Sequence, residues 1–231
     1  MKKSAVLLSG GQDSTTCFIK AWCTSDVKVE RAFYMDYGSK HRDAEFVCAE
    51  RTAGYFGDVP LDCIDIRDLM SNSVSGLINP SIGVGEAHPL NPNLPASFVP
   101  GRNLLFIVLA AQRCYSLGIT HLWTGVCETD YSGYPDCRES TITALESAIR
   151  LGMDFPEFTI VTPLMHLTKA ETFKMAQDEG VLEYIIENTH TGYTGERAVL
   201  YSWGWGPENE EDLDPASAIR KKGYEEFLKM S

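Results

Sequence analysis

The stretch Ala5-Val6-Leu7-Leu8-Ser9-Gly10-Gly11-Gln12-Asp13-Ser14-Thr15-Thr16 decides the fold. Its first four residues are apolar without alternation, the pattern of a short strand buried on both faces. Two glycines interrupt it. From Asp13 to Cys23 a polar start gives way to apolar residues at Cys17, Phe18 and Trp22, which is helical spacing. Gly10 and Gly11 tolerate positive φ and let the backbone come close to a ligand. The unsatisfied N–H groups of the helix start, with the hydroxyls of Ser9, Ser14 and Thr15, make an anion site. Asp13 is placed either to hold a magnesium ion or to cap the helix. An ordinary glycine turn with a Ser/Asp cap is the competing reading; the full Ser-Gly-Gly-x-Asp-Ser string behind a buried strand favours a phosphate cradle.

Working outward, strand and helix patterns alternate. Val27–Met35 and Val59–Ile64 read as strands, Asp43–Phe56 as a helix ending at Gly57, Asn103–Leu117 as an apolar helix ending at Gly118, and His121–Thr124 as a further strand. This order predicts an α/β fold: a doubly wound parallel sheet with helices on both faces and the loops after the strands on one edge. Ser71–Pro100 carries five prolines and reads as a long functional or mobile loop. Thr168–Gly180 is a helix opened by Thr168 as N-cap with Glu171 three residues on. After Glu187 the periodicity fades, and a last short helix is expected near Ala216–Met230.

The composition excludes several classes. With 231 residues, 44% hydrophobic and 23% charged, the chain can build a sizeable core. The longest apolar run, Leu104–Ala111, is far too short to span a bilayer, and no secretory segment is visible, so a cytoplasmic protein without membrane contact is expected. A formal net charge of −12 argues against direct, sequence-independent nucleic-acid binding, while leaving room for a local basic pocket. The seven cysteines are odd in number and scattered, with no Cys-x-x-Cys pair, and are expected to be free thiols.

The glycine loop is neither a Walker A loop nor a dinucleotide fingerprint, since Gly-Lys-Ser/Thr and Gly-x-Gly-x-x-Gly are both absent. It resembles the PP-loop of the N-type ATP pyrophosphatases, an adenine nucleotide α-hydrolase-like, Rossmann-like fold. That resemblance implies cleavage of ATP between its α and β phosphates, with magnesium, and assigns Leu8 through Phe18 to ATP binding.

Four further strings narrow the substrate: Asp36-Tyr37-Gly38-Ser39-Lys40-His41, Phe98-Val99-Pro100-Gly101-Arg102-Asn103, Thr124 to Arg138, and Thr162-Pro163-Leu164-Met165 followed by Lys169-Ala170-Glu171. From about residue 3 to about residue 195 the chain resembles the QueC family of 7-cyano-7-deazaguanine synthases. The resemblance implies a carbon–nitrogen ligase that joins ammonia to 7-carboxy-7-deazaguanine and dehydrates the amide to the nitrile preQ0, consuming two ATP, and that works as a homodimer. No glutaminase portion is legible, so ammonia would be free or delivered by a partner.

On their own chemistry, Asp13, Arg102 and Lys169 are the candidate catalytic residues. Arg102 offers a planar donor fork for a carboxylate or phosphate, against a surface ion pair; Lys169 offers a mobile charge for phosphates, against an exposed first-turn lysine. Asn103 either caps its helix or touches ligand. For a guanine-like ring, Glu128, Asp130 and Asp136 are candidate acceptors and Tyr131 and Tyr134 candidate stacking faces, against a solvated capping loop, with Arg138 completing the expected substrate site. Residues 1–185 are expected to form the ATP pyrophosphatase domain and 186–231 a small helical C-terminal segment.

That segment departs from the family. The resemblance implies a four-cysteine zinc site here, and no cysteine follows Cys137; Gly192 stands at the first position, and Asp214 and Ser217 fall near the last pair. Zinc is therefore not expected. Trp203 and Trp205 as a buried hydrophobic staple, a metal on His190 with acidic side chains, or a tail that meets a partner or has lost its role are the alternatives for Tyr201–Pro207 and the acids after it. The changed segment also leaves open transfer of activated deazaguanine to another amine, such as a protein N-terminus, or a silent binding protein.

Overall fold

The computed structural model describes residues 1–129 and 134–230; Asp130 and Tyr131, expected in the substrate site, lie outside them. In chain order, β1 (Lys2–Leu7), α1 (Gln12–Cys23), β2 (Val27–Asp36), α2 (Arg42–Tyr55) and β3 (Leu61–Asp65) come first. A short α3 (Arg67–Met70) and a hairpin of β4 (Ala87–His88) and β5 (Asn91–Pro95) precede α4 (Arg102–Leu117) and β6 (His121–Trp123). After a 3₁₀ turn at Pro135–Cys137, α5 (Glu139–Gly152) leads to β7 (Thr159–Val161), then α6 (Lys169–Asp178) and α7 (Leu182–Asn188). A second hairpin, β8 (Val199–Tyr201) and β9 (Gly204–Gly206), leads to α8 (Pro215–Phe227).

Five strands form one parallel sheet in the order β3-β2-β1-β6-β7. The doubly wound expectation holds. Because successive strands leave β1 in opposite directions, a crevice opens beyond the carboxyl ends of β1 and β6, where such sheets bind ligands.

The two-residue period of the strands sorts the apolar side chains into two cores. Val6, Leu8, Ala32, Tyr34 and Trp123 face α1, α2, α6, α7 and α8. Ala5, Phe33, Met35, Leu122 and Ile160 face α4 and α5. Burying a side chain such as Phe18, Phe33, Phe158 or Phe173, each under 2% exposed, contributes roughly 1.5–3 kcal/mol. Phe173 also meets Tyr224 and Phe227, so α8 joins the first core.

The proline-rich stretch is not structureless. Gly76 N–H and the Ser75 hydroxyl both donate to Ala96 O (2.7 and 3.1 Å), and Leu77 and Val99 are buried with Tyr37 and Ile66 in a third small cluster. The β4–β5 hairpin lies between these ends.

The turn after β1 is fixed by close approach. Gly10 has φ +84°, and a Cβ there would stand 2.2 Å from Glu45 O and 2.8 Å from Ala49 N, both main-chain atoms of α2. Gly10→Ala is therefore expected to lower stability by at least about 2 kcal/mol, read as a fall in the urea midpoint with an unchanged slope.

Candidate active site

The loop after β1 is held by its own hydroxyls. Ser9 N–H donates to Ser14 Oγ (3.1 Å), Gly11 N–H donates to Ser9 Oγ (3.3 Å), and Ser14 Oγ–H donates to Gly11 O (3.2 Å). Gly10 O accepts the N–H of His190 (3.0 Å), which ties the C-terminal segment to the loop. On the other side Gly125, just beyond β6, lies against the first turn of α1: a Cβ there would be 2.8 Å from Asp13 O. The cradle is thus walled by main chain on two sides.

A cavity of about 270 Å³ opens over this loop. Its walls are Leu8, Ser9, Gly11, Gln12, Asp13 and Ser14 from the loop, Met35 and Tyr37 from the end of β2, and His41 and Glu45 from α2. Arg102, Asn103 and Phe106 of α4, then Tyr134, Lys169, His190, Thr191 and Tyr193, and Ala216 and Ile219 of α8 also line it. The three candidate catalytic side chains are brought together here. Thr15, Thr16, Cys17 and Phe18 continue α1 beneath the loop, buried and off the cavity wall.

Lys169 is buried and donates to Asp13 Oδ2 at 2.7 Å, so the exposed first-turn lysine is corrected. A capping box aims it: Thr168 Oγ1 accepts the Glu171 N–H and Glu171 Oε2 accepts the Thr168 N–H. Gly223 of α8 leaves room for its stem, since a Cβ there would lie 2.4 Å from Lys169 Cγ. Asp13 is not the N-cap, a place taken by Gly11. Its carboxyl at the helix start suits a divalent cation, and the adjacent loop N–H groups suit phosphate. Gln12 Nε2 donates to Thr172 Oγ1 (3.2 Å), and Gln12 Oε1 is buried with no partner among the described residues.

Arg102 is a partly buried guanidinium, not a surface ion pair. It lies over the rings of Tyr37 and Tyr134 at 5.5 and 5.9 Å, with Nη1 donating to Tyr37 Oη (3.3 Å). Asn103 sends its Nδ2 to Cys137 Sγ (3.1 Å), and its N–H goes to Asp136 Oδ2 (2.9 Å), so Asp136 caps α4 from inside. Glu128 Oε2 accepts the Glu139 N–H (2.9 Å) at the start of α5, and both Glu128 and the exposed Arg138 stand off the cavity wall. Tyr134 Oη lies 2.8 Å from Ser97 Oγ and 3.3 Å from Tyr193 Oη.

His41 and Glu45 enter the site although the sequence reading gave neither a role. His41 stands at the N-cap of α2 and Glu45 four residues on in its first turn, with His41 Nε2 3.5 Å from Glu45 Oε2. Burial pushes the Glu45 carboxyl up to about 8 and the His41 imidazole down to about 3, so at neutral pH this is a pair of uncharged groups. The signal that could have found Glu45 is its i,i+4 relation to His41 in the first helix after β2.

A sequence model of the family described as "Queuosine biosynthesis protein QueC" matches residues 3–228. The chain belongs to the QueC family. It is 42% identical over 223 residues to a 7-cyano-7-deazaguanine synthase of Helicobacter pylori strain J99, covering 96% of this chain and 95% of the relative. It is also 42% identical over 240 residues to one of Paraburkholderia phymatum, covering 98% and 94%. Among solved structures, a U34-tRNA thiolase of Methanococcus maripaludis aligns over 99% of this chain and 66% of its own, at 12% identity and a TM-score of 0.47.

Within this QueC-family chain the residues at the implied zinc position do not fit zinc. Position 192 does converge with 214 and 217: a Cβ on Gly192 would lie 2.9 Å from Asp214 Oδ2 and 3.0 Å from Ser217 Oγ. Yet no thiolate is available, and the Asp214 carboxylate is already engaged. It accepts the N–H groups of Ala216 (2.9 Å), Ser217 (3.1 Å) and Tyr193 (2.9 Å) and the Ser217 hydroxyl (3.2 Å). His190 Nε2 lies 2.8 Å from Gly192 O, a structural contact in place of the metal reading. The staple reading holds for Trp203, which is buried and stacked on Tyr201 at 5.2 Å. Trp205 is only partly buried, lies under Arg197 and donates to Glu187 O, a correction to the expectation of two buried tryptophans.

The larger device is Arg220, 1% exposed. It donates to Trp203 O (2.8 Å), Thr189 Oγ1 (2.9 Å), Thr191 Oγ1 (3.0 Å) and Ile185 O (3.0 Å), joining α7, the β8–β9 hairpin and the cavity wall.

Asp214→Ala is expected to cost about 2 kcal/mol, whereas EDTA leaves the thermal midpoint of the parent protein unchanged; calorimetry checks both. A second expectation concerns pH. Folding depresses His41 to about 3 and His190 to about 4, so their contribution is complete above the unfolded value of 6.5 and is lost as pH falls towards 4. Glu45 is raised to about 8 from 4.5, so its contribution is complete below 4.5 and is lost as pH rises to 8. Urea unfolding should therefore show a maximum near pH 6.5, and Glu45→Gln should remove the decline of up to about 1.4 kcal/mol per pH unit above it.

Proposed function

We propose that this chain is an ATP-dependent carbon–nitrogen ligase that converts 7-carboxy-7-deazaguanine and ammonia to 7-cyano-7-deazaguanine. The observation that carries this reading is the full-length likeness to synthases of that name, together with a phosphate-type loop that faces Arg102 and Lys169 across one cavity. A carboxylate is a poor electrophile until its oxygen becomes part of a leaving group, and transfer of AMP to it does that. Ammonia then displaces AMP to give the amide. A second ATP activates the amide oxygen, and loss of AMP and a proton leaves the nitrile.

In this reading the loop from Ser9 to Ser14 holds the departing diphosphate, with its N–H groups and hydroxyls as donors; Thr15 is buried beneath it. Lys169 balances charge on the phosphates, and its pairing with Asp13 keeps it in place before nucleotide binds. Arg102, over the rings of Tyr37 and Tyr134, takes the substrate carboxylate. Magnesium, when bound, would neutralise phosphate charge, and Asp13 is the residue that would hold it. Asn103 lies on this wall, and Asp136 holds its N–H from behind. The chain is proposed to act as a homodimer on small molecules.

A second reading keeps the adenylation and changes the acceptor to another amine. It is favoured by one observation: the recast C-terminal segment supplies His190, Thr191, Tyr193, Ala216 and Ile219 to the cavity.

The protein is to be mixed with ATP, Mg²⁺, ammonium and 7-carboxy-7-deazaguanine, and mass, AMP and diphosphate recorded. Nitrile with AMP is the expected outcome. AMP without nitrile, with an added amine-bearing protein gaining the mass of the deazaguanine acyl group, would favour the second reading, and no AMP would overturn both. Asp13→Asn is expected to lower AMP formation at least about 100-fold, and the urea midpoint to fall with the slope unchanged, since the substitution removes a counter-charge of buried Lys169.

A further inference from the structure

Among the described residues, two carboxyl groups line the cavity, Asp13 and Glu45, and only Asp13 has a cation against it. Glu45 lies beside the loop itself. Its main-chain oxygen is the atom that Gly10 approaches, and its Oε1 lies 3.9 Å from where a Cβ on Gly11 would stand. Its other oxygen faces His41, 5% exposed, at 3.5 Å. A second anion at about 4 Å from a carboxylate costs on the order of 4 kcal/mol at an effective dielectric near 20. An ionised Glu45 at this place would work against any polyphosphate that the loop holds.

We propose that Glu45 serves the nucleotide site as a carboxylic acid, donating its O–H to a terminal phosphate oxygen of the nucleotide held by the Ser9–Ser14 loop. This rests on the ligase reading, which puts the diphosphate at that loop.

The surroundings support a retained proton. Burial raises Glu45 to about 8, and Arg102 across the cavity draws it down only in part. The other titratable groups facing it are His41 and Cys48 of α2, Tyr34 and Tyr37 of β2, and, around His41, His190 and Tyr193. The two imidazoles are depressed to about 3 and about 4, and burial raises the phenols and the thiol above their ordinary values. Of this set, Glu45 is the group that changes charge between pH 7 and 9. Asp13 and Lys169 are paired at 2.7 Å.

The test is calorimetric titration of the full chain with the α,β-methylene analogue of ATP, Mg²⁺ saturating so that the terminal phosphate stays ionised, from pH 7 to 9.5. Wild-type affinity is expected to fall about 30-fold over this range, the effect of one proton leaving a group at about 8. Glu45→Gln, which keeps a donor and has no charge to gain, should bind within about threefold of wild type at pH 7 and stay flat. Glu45→Ala should bind about tenfold more weakly at pH 7. A Gln variant as weak as the Ala variant would mean that the ionised form is the one used, as a metal ligand or a base, and would overturn the proposal. A flat wild-type profile with normal binding would overturn it alone; no binding by wild type at pH 7 would overturn the nucleotide site and the proposal together.

Discussion

The approach of the turn at Gly10 to the main chain of α2, with no side chain between them, sets the geometry of everything around the cavity. It brings the start of α1 and the first turn of α2 to the same edge of the sheet, so donors from one and the His41–Glu45 pair from the other share a wall. Gly125 repeats the arrangement on the opposite side, laying the chain after β6 on the first turn of α1. His190 N–H then closes on Gly10 O from the C-terminal segment. A cradle made of backbone in this way cannot adjust by rotamer changes, which keeps its donors preorganised.

Around that rigid turn the molecule places charge in dry surroundings, and each charge has a different solution. Lys169 has a carboxylate partner at 2.7 Å. Arg102 rests on aromatic faces. Arg220 is fully buried and shares its protons among two carbonyls and two hydroxyls, and burial lowers its pKa to about 10, still far above neutrality. In the His41–Glu45 pair burial favours the uncharged form of each group. The cavity therefore combines fixed positive charge, where anionic substrates would lie, with a neutral carboxyl beside the loop.

The first half of the fold was legible because its signals are local. The apolar run before Gly10 and the helical spacing from Cys17 to Trp22 give β1 and α1, and Thr168 with Glu171 gives a capping box that the structure forms. Less was legible where a segment depends on distant partners. The strand β7 has three residues and exists through pairing with β6, and the β8–β9 hairpin is tied to the rest through Arg220 bonding to Trp203 O. The helix α5 carries Ile142, Leu145 and Ile149 at helical spacing, a signal present in the sequence and passed over beside the acidic loop. In the site, residue type favoured Glu128 and Asp136 as ligand acceptors; both spend their carboxylates on backbone N–H groups at helix starts, a competition that only three-dimensional placement reveals. Glu45 gave no motif of its own and becomes visible through its distance to Gly11.

The clasp on Asp214 has a consequence for where the molecule can work. Peroxide attacks exposed thiolates, and a zinc–thiolate cluster falls apart once its sulfurs are oxidised. Here the same junction is made of a carboxylate, a hydroxyl and three amides. None of these is changed by such oxidants, so the wall that α8 and the His190–Tyr193 loop give to the cavity holds its shape in reducing and oxidising surroundings alike.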